Sequence, residues 1–306
     1  MREQSLLPEP EFESYYGRPI VKTPTWKNPD VPLYLFLGGL AGGSALLAEG
    51  AALTDRPGLE RVTRLAAAAG AAGGTAALIH DLGRPERFLN MLRVFKPTSP
   101  LSVGSFILAP FGALSTAAVG SQLTGRFPRL GRLAGAGAAV LGPPLTTYTA
   151  ALIANTAIPA WHEAHRELPF VFGGSAAAAA GGVAAMFAPA SESGPAIRMA
   201  AVGAAVELTA TEAINRRAGL AGEPYRIGRS GRLMGASRAL TASGLALTVL
   251  GRRPWLRRLA GTAFAAGSLI LRSGVFEAGK ASAKDPKYTV VPQRERLRMR
   301  EAERAQ

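Results

Sequence analysis

Apolar residues in this 306-residue chain are gathered into blocks of about twenty, and the charged residues are gathered between the blocks. A helix of that length crosses a roughly 30 Å hydrocarbon core, so the patterning predicts eight spans, at 31–53, 63–82, 101–122, 133–157, 169–188, 196–218, 234–250 and 256–272. A membrane barrel needs ten-residue alternating segments, and runs such as "AGAAGGTAALI" have no period of two. The expected fold class is therefore an all-α integral membrane protein of eight transmembrane helices, arranged as two four-helix bundles joined near "IPAWHEAHRELP". The polar segment 1–30 precedes this membrane domain (31–272) and the basic tail 273–306 follows it. The last two spans are short and flank "GRRPWLRR", whose arginines must reach for the interface. The pairs Gly38/Gly42, Gly39/Gly43 and Gly70/Gly74 have the spacing that lets helix backbones approach closely in lipid.

The chain carries 35 Lys and Arg against 21 Asp and Glu, a formal charge of +14. These cations are scattered through short loops and the tail, which suits membrane orientation and predicts no nucleic-acid partner. Their excess falls on the side of the two termini and comes from the tails, which points to cytoplasmic termini in the plasma membrane. Thirty mixed polar residues, among them Glu3, Glu9, Glu11 and Glu13, precede the first apolar run, so that run is expected to remain as a span rather than be cleaved. With no Cys there is no thiolate for an iron–sulfur cluster or a c-type haem. Of three His, residues 162 and 165 share one loop, so paired axial ligands from facing helices, and hence a haem, are not expected.

Chemistry concentrates in "HDLGRPERFLNMLRVFKPTSPLSVGSF", residues 80–106. His80 and Asp81 close the second span, where an ionisable pair meets both a lipid-borne substrate and water. The alternative is that Asp81 pairs with Arg84 or caps a turn. The basic loop that follows can pair internally or with a partner protein. A second group of charges lies within spans: Glu49 in the first, Glu207 and Glu212 (with Asn215) in the sixth, Arg238 in the seventh. They read either as interhelical ion pairs or as a proton path. "WHEAHRE", residues 161–167, lacks the HExxH spacing and reads as an interfacial turn with Trp161 in the aromatic belt, so no metal site is expected. The tail "PQRERLRMREAERAQ" suits contact with anionic membrane lipid or a soluble partner.

The stretch "HDLGRPERFLNMLRVFKPTSPLSVGSFIL" resembles the signature loop of the NrfD, or polysulfide reductase, membrane-subunit family, and "PLYLFLGGLAGGSALLA" and "RSGVFEAGKASAKDPKYT" resemble that family's ends. The resemblance implies an eight-helix anchor without haem that exchanges electrons between a membrane quinone (menaquinone or ubiquinone) and a four-cluster, ferredoxin-like iron–sulfur subunit. That subunit serves a molybdopterin catalytic subunit, a molybdenum or tungsten oxidoreductase, with formate dehydrogenase suggested by analogy. Carried onto this chain, the family's quinone-holding positions match Tyr34, Asp81 and Tyr148, with His80 beside Asp81 as a proton donor. Val31 and Tyr34 stand where the family leads one to expect Asn and His, so the hydrogen-bond pattern differs there. A secondary transporter and a purely structural anchor are the other classes open to such a chain.

Overall fold

The computed structural model describes residues 20–84, 86–250 and 253–304. Eight long helices cross the molecule: α1 (Asp30–Leu53), α2 (Pro57–Leu82), α4 (Pro100–Thr124), α5 (Pro128–Ala154), α7 (Leu168–Phe187), α8 (Gly194–Arg217), α9 (Gly228–Leu250) and α10 (Pro254–Lys284). Between and after them lie the short α3 (Glu86–Met91), α6 (Pro159–Glu163) and a 3-10 turn (Gly219–Tyr225), then a final helix, α11 (Lys287–Arg304). Proline opens α2, α4, α5, α7, α8 and α10 within their first two residues, where its missing N–H costs nothing and its fixed φ favours the helix. Gly83 and Gly125 close α2 and α4 with φ of 70° and 67°, a conformation that a side chain disfavours.

Seven of the eight long helices are long and apolar enough to cross a membrane. The eighth, α8, has the length but carries Arg198, Glu207, Glu212, Arg216 and Arg217, and it packs along α7. The first four long helices form a ring in the order α1, α2, α4, α5, and the last four repeat it as α7, α8, α9, α10. The first and fourth members of each ring, α1 with α5 and α7 with α10, meet at the middle. Among the described residues, the short connections 54–56, 125–127 and 188–193 lie on one side, and the longer connections lie on the side of the termini.

Lipid offers no hydrophobic drive for helices to associate, so contact at bare backbone has to supply it. At the α1–α5 crossing a Cβ on Gly42 would lie 2.5 Å from the Gly142 carbonyl oxygen. Gly39 and Gly43 present α1's other side to Ala176 and Ala180 of α7, and Gly70 admits α1 onto α2. The helix α10 does not stop at residue 272. Its buried stripe continues through Val275, Phe276, Ala278, Gly279, Ser282 and Ala283.

Substituting Gly142→Leu drives a side chain into the Gly42 backbone, an overpacking that costs about 1–3 kcal/mol. Its melting temperature in detergent should fall by several degrees. Gly112→Leu, where a Cβ would meet nothing within 4 Å, should leave it unchanged.

Candidate functional site

Tyr34 enters α1 one turn after Asp30, and Tyr148 lies six residues before the end of α5, so both point into the terminal-side half of the first bundle. Both are buried, at 4% and 8% exposure, and share one apolar cluster with Leu35, Leu78, Leu108 and Phe111. Tyr34 faces α2 at Gly74, and the Tyr148 ring lies against α4 where Gly104 has no side chain to displace it. The Tyr148 hydroxyl is buried and has no hydrogen-bond partner among the described residues.

Asp81 closes α2 at the rim of this half-bundle. Its Oδ1 accepts from the Lys27 amide at 2.8 Å, and Lys27 Nζ donates to the His80 carbonyl at 3.0 Å. His80 turns outward, with Nδ1 2.7 Å from Asp30 Oδ2 and its side chain 76% exposed. Residues 20–29 thus form a strap across the terminal end. Asn28 Nδ2 donates to Glu277 Oε1 at 2.6 Å, and Trp26 stacks on Trp161 at 5.7 Å between ring centres. Trp161 is not a belt residue, because it is fully buried and donates from Nε1 to the Val275 carbonyl at 2.7 Å, in space that Gly279 leaves open. His162 and His165 stay on the surface beside it.

The charges expected within spans separate into three places. Glu49 is at the opposite end of the first bundle. There it and Arg64 converge on the bare backbone of Gly135, and Arg64 Nη2 lies 2.8 Å from Glu60 Oε1. Glu207 is buried at 1% exposure in the second bundle and accepts from Thr241 Oγ1 at 2.8 Å. Glu212 and Arg238 are not buried. Their side chains are 44% and 50% exposed, 3.8 Å apart, and Glu212 also takes Arg216 Nε at 2.9 Å. Glu212 lies five residues before the end of α8 and Arg238 ten residues into α9, about one to one and a half turns from Glu207 and Thr241.

The countercharge within reach of Glu207 is Arg272, which the apolar-run reading takes as the last residue of its span. Arg272 is fully buried, donates to the Phe172 carbonyl at 2.8 Å and lies 3.7 Å over the Phe172 ring. Its guanidinium reaches α1 at Gly39. Ser175 donates to Ser268 at 2.8 Å in the same interior. Spacing carried the missing signal, since Ser268, Arg272, Val275, Gly279 and Ser282 recur on one helical face and continue the buried stripe.

On the terminal face, a cleft of about 370 Å³ lies between α6, the 3-10 turn and α11. A second, of about 540 Å³, is lined by residues 20–26, 156–158 and Trp161. Arg217 pairs with Glu167, Arg296 with Glu163 at 3.7 Å, and Lys287 with Glu223 at 3.0 Å. The Lys287 ammonium holds the Glu223 carboxyl below the ordinary carboxylate range, and Glu223 with Tyr288 raises the Lys287 pKa.

The molecule is thus a multi-pass helical membrane protein with polar groups at its terminal face and in its interior, and its sequence has no Cys with which to ligate an iron–sulfur cluster. Residues 24–211 match the family described as polysulphide reductase, NrfD, and the chain belongs to that family of membrane subunits, whose members partner iron–sulfur and molybdoenzyme subunits. None of the curated proteins compared with it matches.

Arg272→Met should lower the melting temperature sharply, because stranding a buried charge costs about 3–5 kcal/mol. Adding Glu207→Gln should recover much of the loss, as a double-mutant cycle in thermal unfolding would read. The Glu223–Lys287 bridge is complete at neutral pH. A lowered carboxylate pKa contributes above its unfolded value and is lost as pH falls through the folded one, and the raised lysine pKa is lost as pH rises through its own. Spin labels at Leu220 and Gln293 should report a fixed separation at neutral pH that broadens on acidification below the carboxylate range. Glu223→Gln should remove that acid transition.

Proposed function

We propose that the chain exchanges electrons and protons between a membrane quinone, menaquinone or ubiquinone, and the iron–sulfur subunit of a molybdenum or tungsten oxidoreductase. The observation that carries this reading is the buried Tyr148 hydroxyl, a donor with no acceptor among the described residues, in the same apolar cluster as Tyr34. A buried unpaired hydroxyl costs about 1–3 kcal/mol unless a ligand satisfies it. A quinone carbonyl oxygen does so, and the surrounding leucines and Phe111 suit its ring and isoprenoid tail.

Quinone reduction takes two electrons and two protons to the quinol, and oxidation returns them. The electrons pass to or from the partner's clusters, since this chain has no Cys to hold one. Tyr148 and Tyr34 orient the carbonyl oxygens, and Asp81, at the rim, passes protons between the ring oxygens and water. His80, paired with Asp30, keeps that rim polar. Glu207, Thr241, Ser175, Ser268 and Arg272 form the polar interior through which protons cross the second bundle, and Glu49 with Arg64 serves the opposite end of the first.

The partner docks on the terminal face. Residues 83–99 there expose Leu89, Val94 and Phe95 among Arg84, Arg87, Arg93 and Lys96, a mixture of apolar and basic groups suited to an interface. A formate dehydrogenase is the assembly by analogy alone.

In the assembled complex, Asp81→Asn keeps an acceptor for the Lys27 amide but cannot carry the proton. It should abolish quinone-linked turnover while leaving assembly and melting temperature intact. Tyr148→Phe should weaken quinone-analogue binding about two- to tenfold, the worth of one hydrogen bond. Full turnover and unchanged binding in both variants would overturn the site.

A further inference from the structure

The exposed pair Glu212–Arg238 belongs to a separate cleft of about 510 Å³ where α8, the 3-10 turn and α9 diverge on the terminal side. Three guanidiniums line it, from Arg216, Arg226 and Arg238, against the single carboxylate of Glu212. Arg216 and Arg238 both lean on that carboxylate, at 2.9 Å and 3.8 Å, and Arg226 donates to the Asn215 carbonyl at 3.2 Å, with the Glu223 carboxylate, itself bridged by Lys287, near enough to feel its charge. The cleft therefore holds more positive charge than its own residues neutralise. It has room as well, since a Cβ on Gly235, in its α9 wall, would meet nothing within 4 Å.

Its position matters as much as its charge. Arg238 lies ten residues into α9, about 15 Å along the axis, in a helix able to cross a membrane. A charge at such depth in lipid pairs or reaches for the interface. Met234 lines the cleft from α9, and Ile227, which follows Arg226 in the chain, is 48% exposed. A cationic centre beside apolar side chains, in a groove between membrane helices, matches an anionic phospholipid, with its phosphodiester among the guanidiniums and its acyl chains along α8 and α9.

We propose that this cleft is a binding site for the phosphodiester headgroup of an anionic phospholipid. Glu212 competes with the headgroup for Arg216 and Arg238 and so sets its affinity. The site is independent of the quinone reading, because it involves neither Tyr34, Asp81 nor Tyr148.

Native mass spectrometry of the full chain in detergent tests this, with phosphatidylglycerol and phosphatidylcholine as probes. The wild type should retain phosphatidylglycerol several-fold over phosphatidylcholine. Each arginine near the surface contributes about fivefold, so the triple variant Arg216→Gln/Arg226→Gln/Arg238→Gln should lose at least about tenfold in affinity. The charge-matched triple Arg294→Gln/Arg298→Gln/Arg300→Gln, on the exposed α11, should keep the preference. Glu212→Gln should tighten retention, and it decides the matter if the arginine triple fails to fold. Equal retention of the two lipids, an equal loss in the α11 triple, or no gain in Glu212→Gln would overturn the proposal. Displacement of phosphatidylglycerol by millimolar inorganic phosphate would also overturn it, assigning the cleft to a free anion instead.

Discussion

Close approach of bare backbone between helices is the constraint on which this structure rests. In water, α1 could be held by burying its leucines. In lipid those leucines are as content outside the bundle as within it, and only packing distinguishes the two states. Gly42 against Gly142, and Gly39 and Gly43 against Ala176 and Ala180, bring α1 near enough to α5 and α7 for backbone atoms to touch. These contacts make α1 the shared wall of the two four-helix rings. They also narrow the interior until few side chains fit, so each large or polar group inside occupies space that a glycine or alanine vacates, as Trp161 does at Gly279 and Tyr148 at Gly104.

That narrow interior makes the position of Arg272 informative. A guanidinium sealed between α10, α7 and α1 is stabilised by the Phe172 carbonyl, the Phe172 ring and the nearby Glu207 carboxylate. It is the one described charge that touches the first bundle, at Gly39, while sharing the second bundle's polar interior. The two rings have the same helix order but different contents. The first holds tyrosines in an apolar half-bundle beneath Asp81, and the second holds Glu207 among hydroxyls. A division between a site for a lipid-soluble ring and a site for protons follows from those contents under the proposed function.

At the terminal end, the strap of residues 20–29 fastens α2, α6 and α10 through Asp81, Trp161 and Glu277. Asp81 gives one oxygen to the strap amide. Under the proposed function its carboxyl also carries the proton to and from the quinone.

Much of this was legible in the sequence. Twenty-residue apolar blocks specify spanning helices because lipid leaves backbone groups no other partners, prolines and glycines marked where helices begin and end, and the 80–106 stretch with its flanking motifs disclosed the family. Tyr34, Asp81 and Tyr148 are the positions to which the family resemblance carries a quinone site, and the tertiary structure adds that the Tyr148 hydroxyl has no partner among the described residues. Charge in an apolar run was the less faithful guide. Read as one-dimensional, it placed Arg272 at a span's end and Glu212 and Arg238 inside, whereas the fold buries the first and exposes the other two. Burial depends on which face of a helix meets a neighbour and how closely, and that is decided by the crossing of helices distant in sequence. The chain itself determined that eight helices form and pack by their small residues; which charges those contacts enclose was settled only when the two rings closed around α1 and α7.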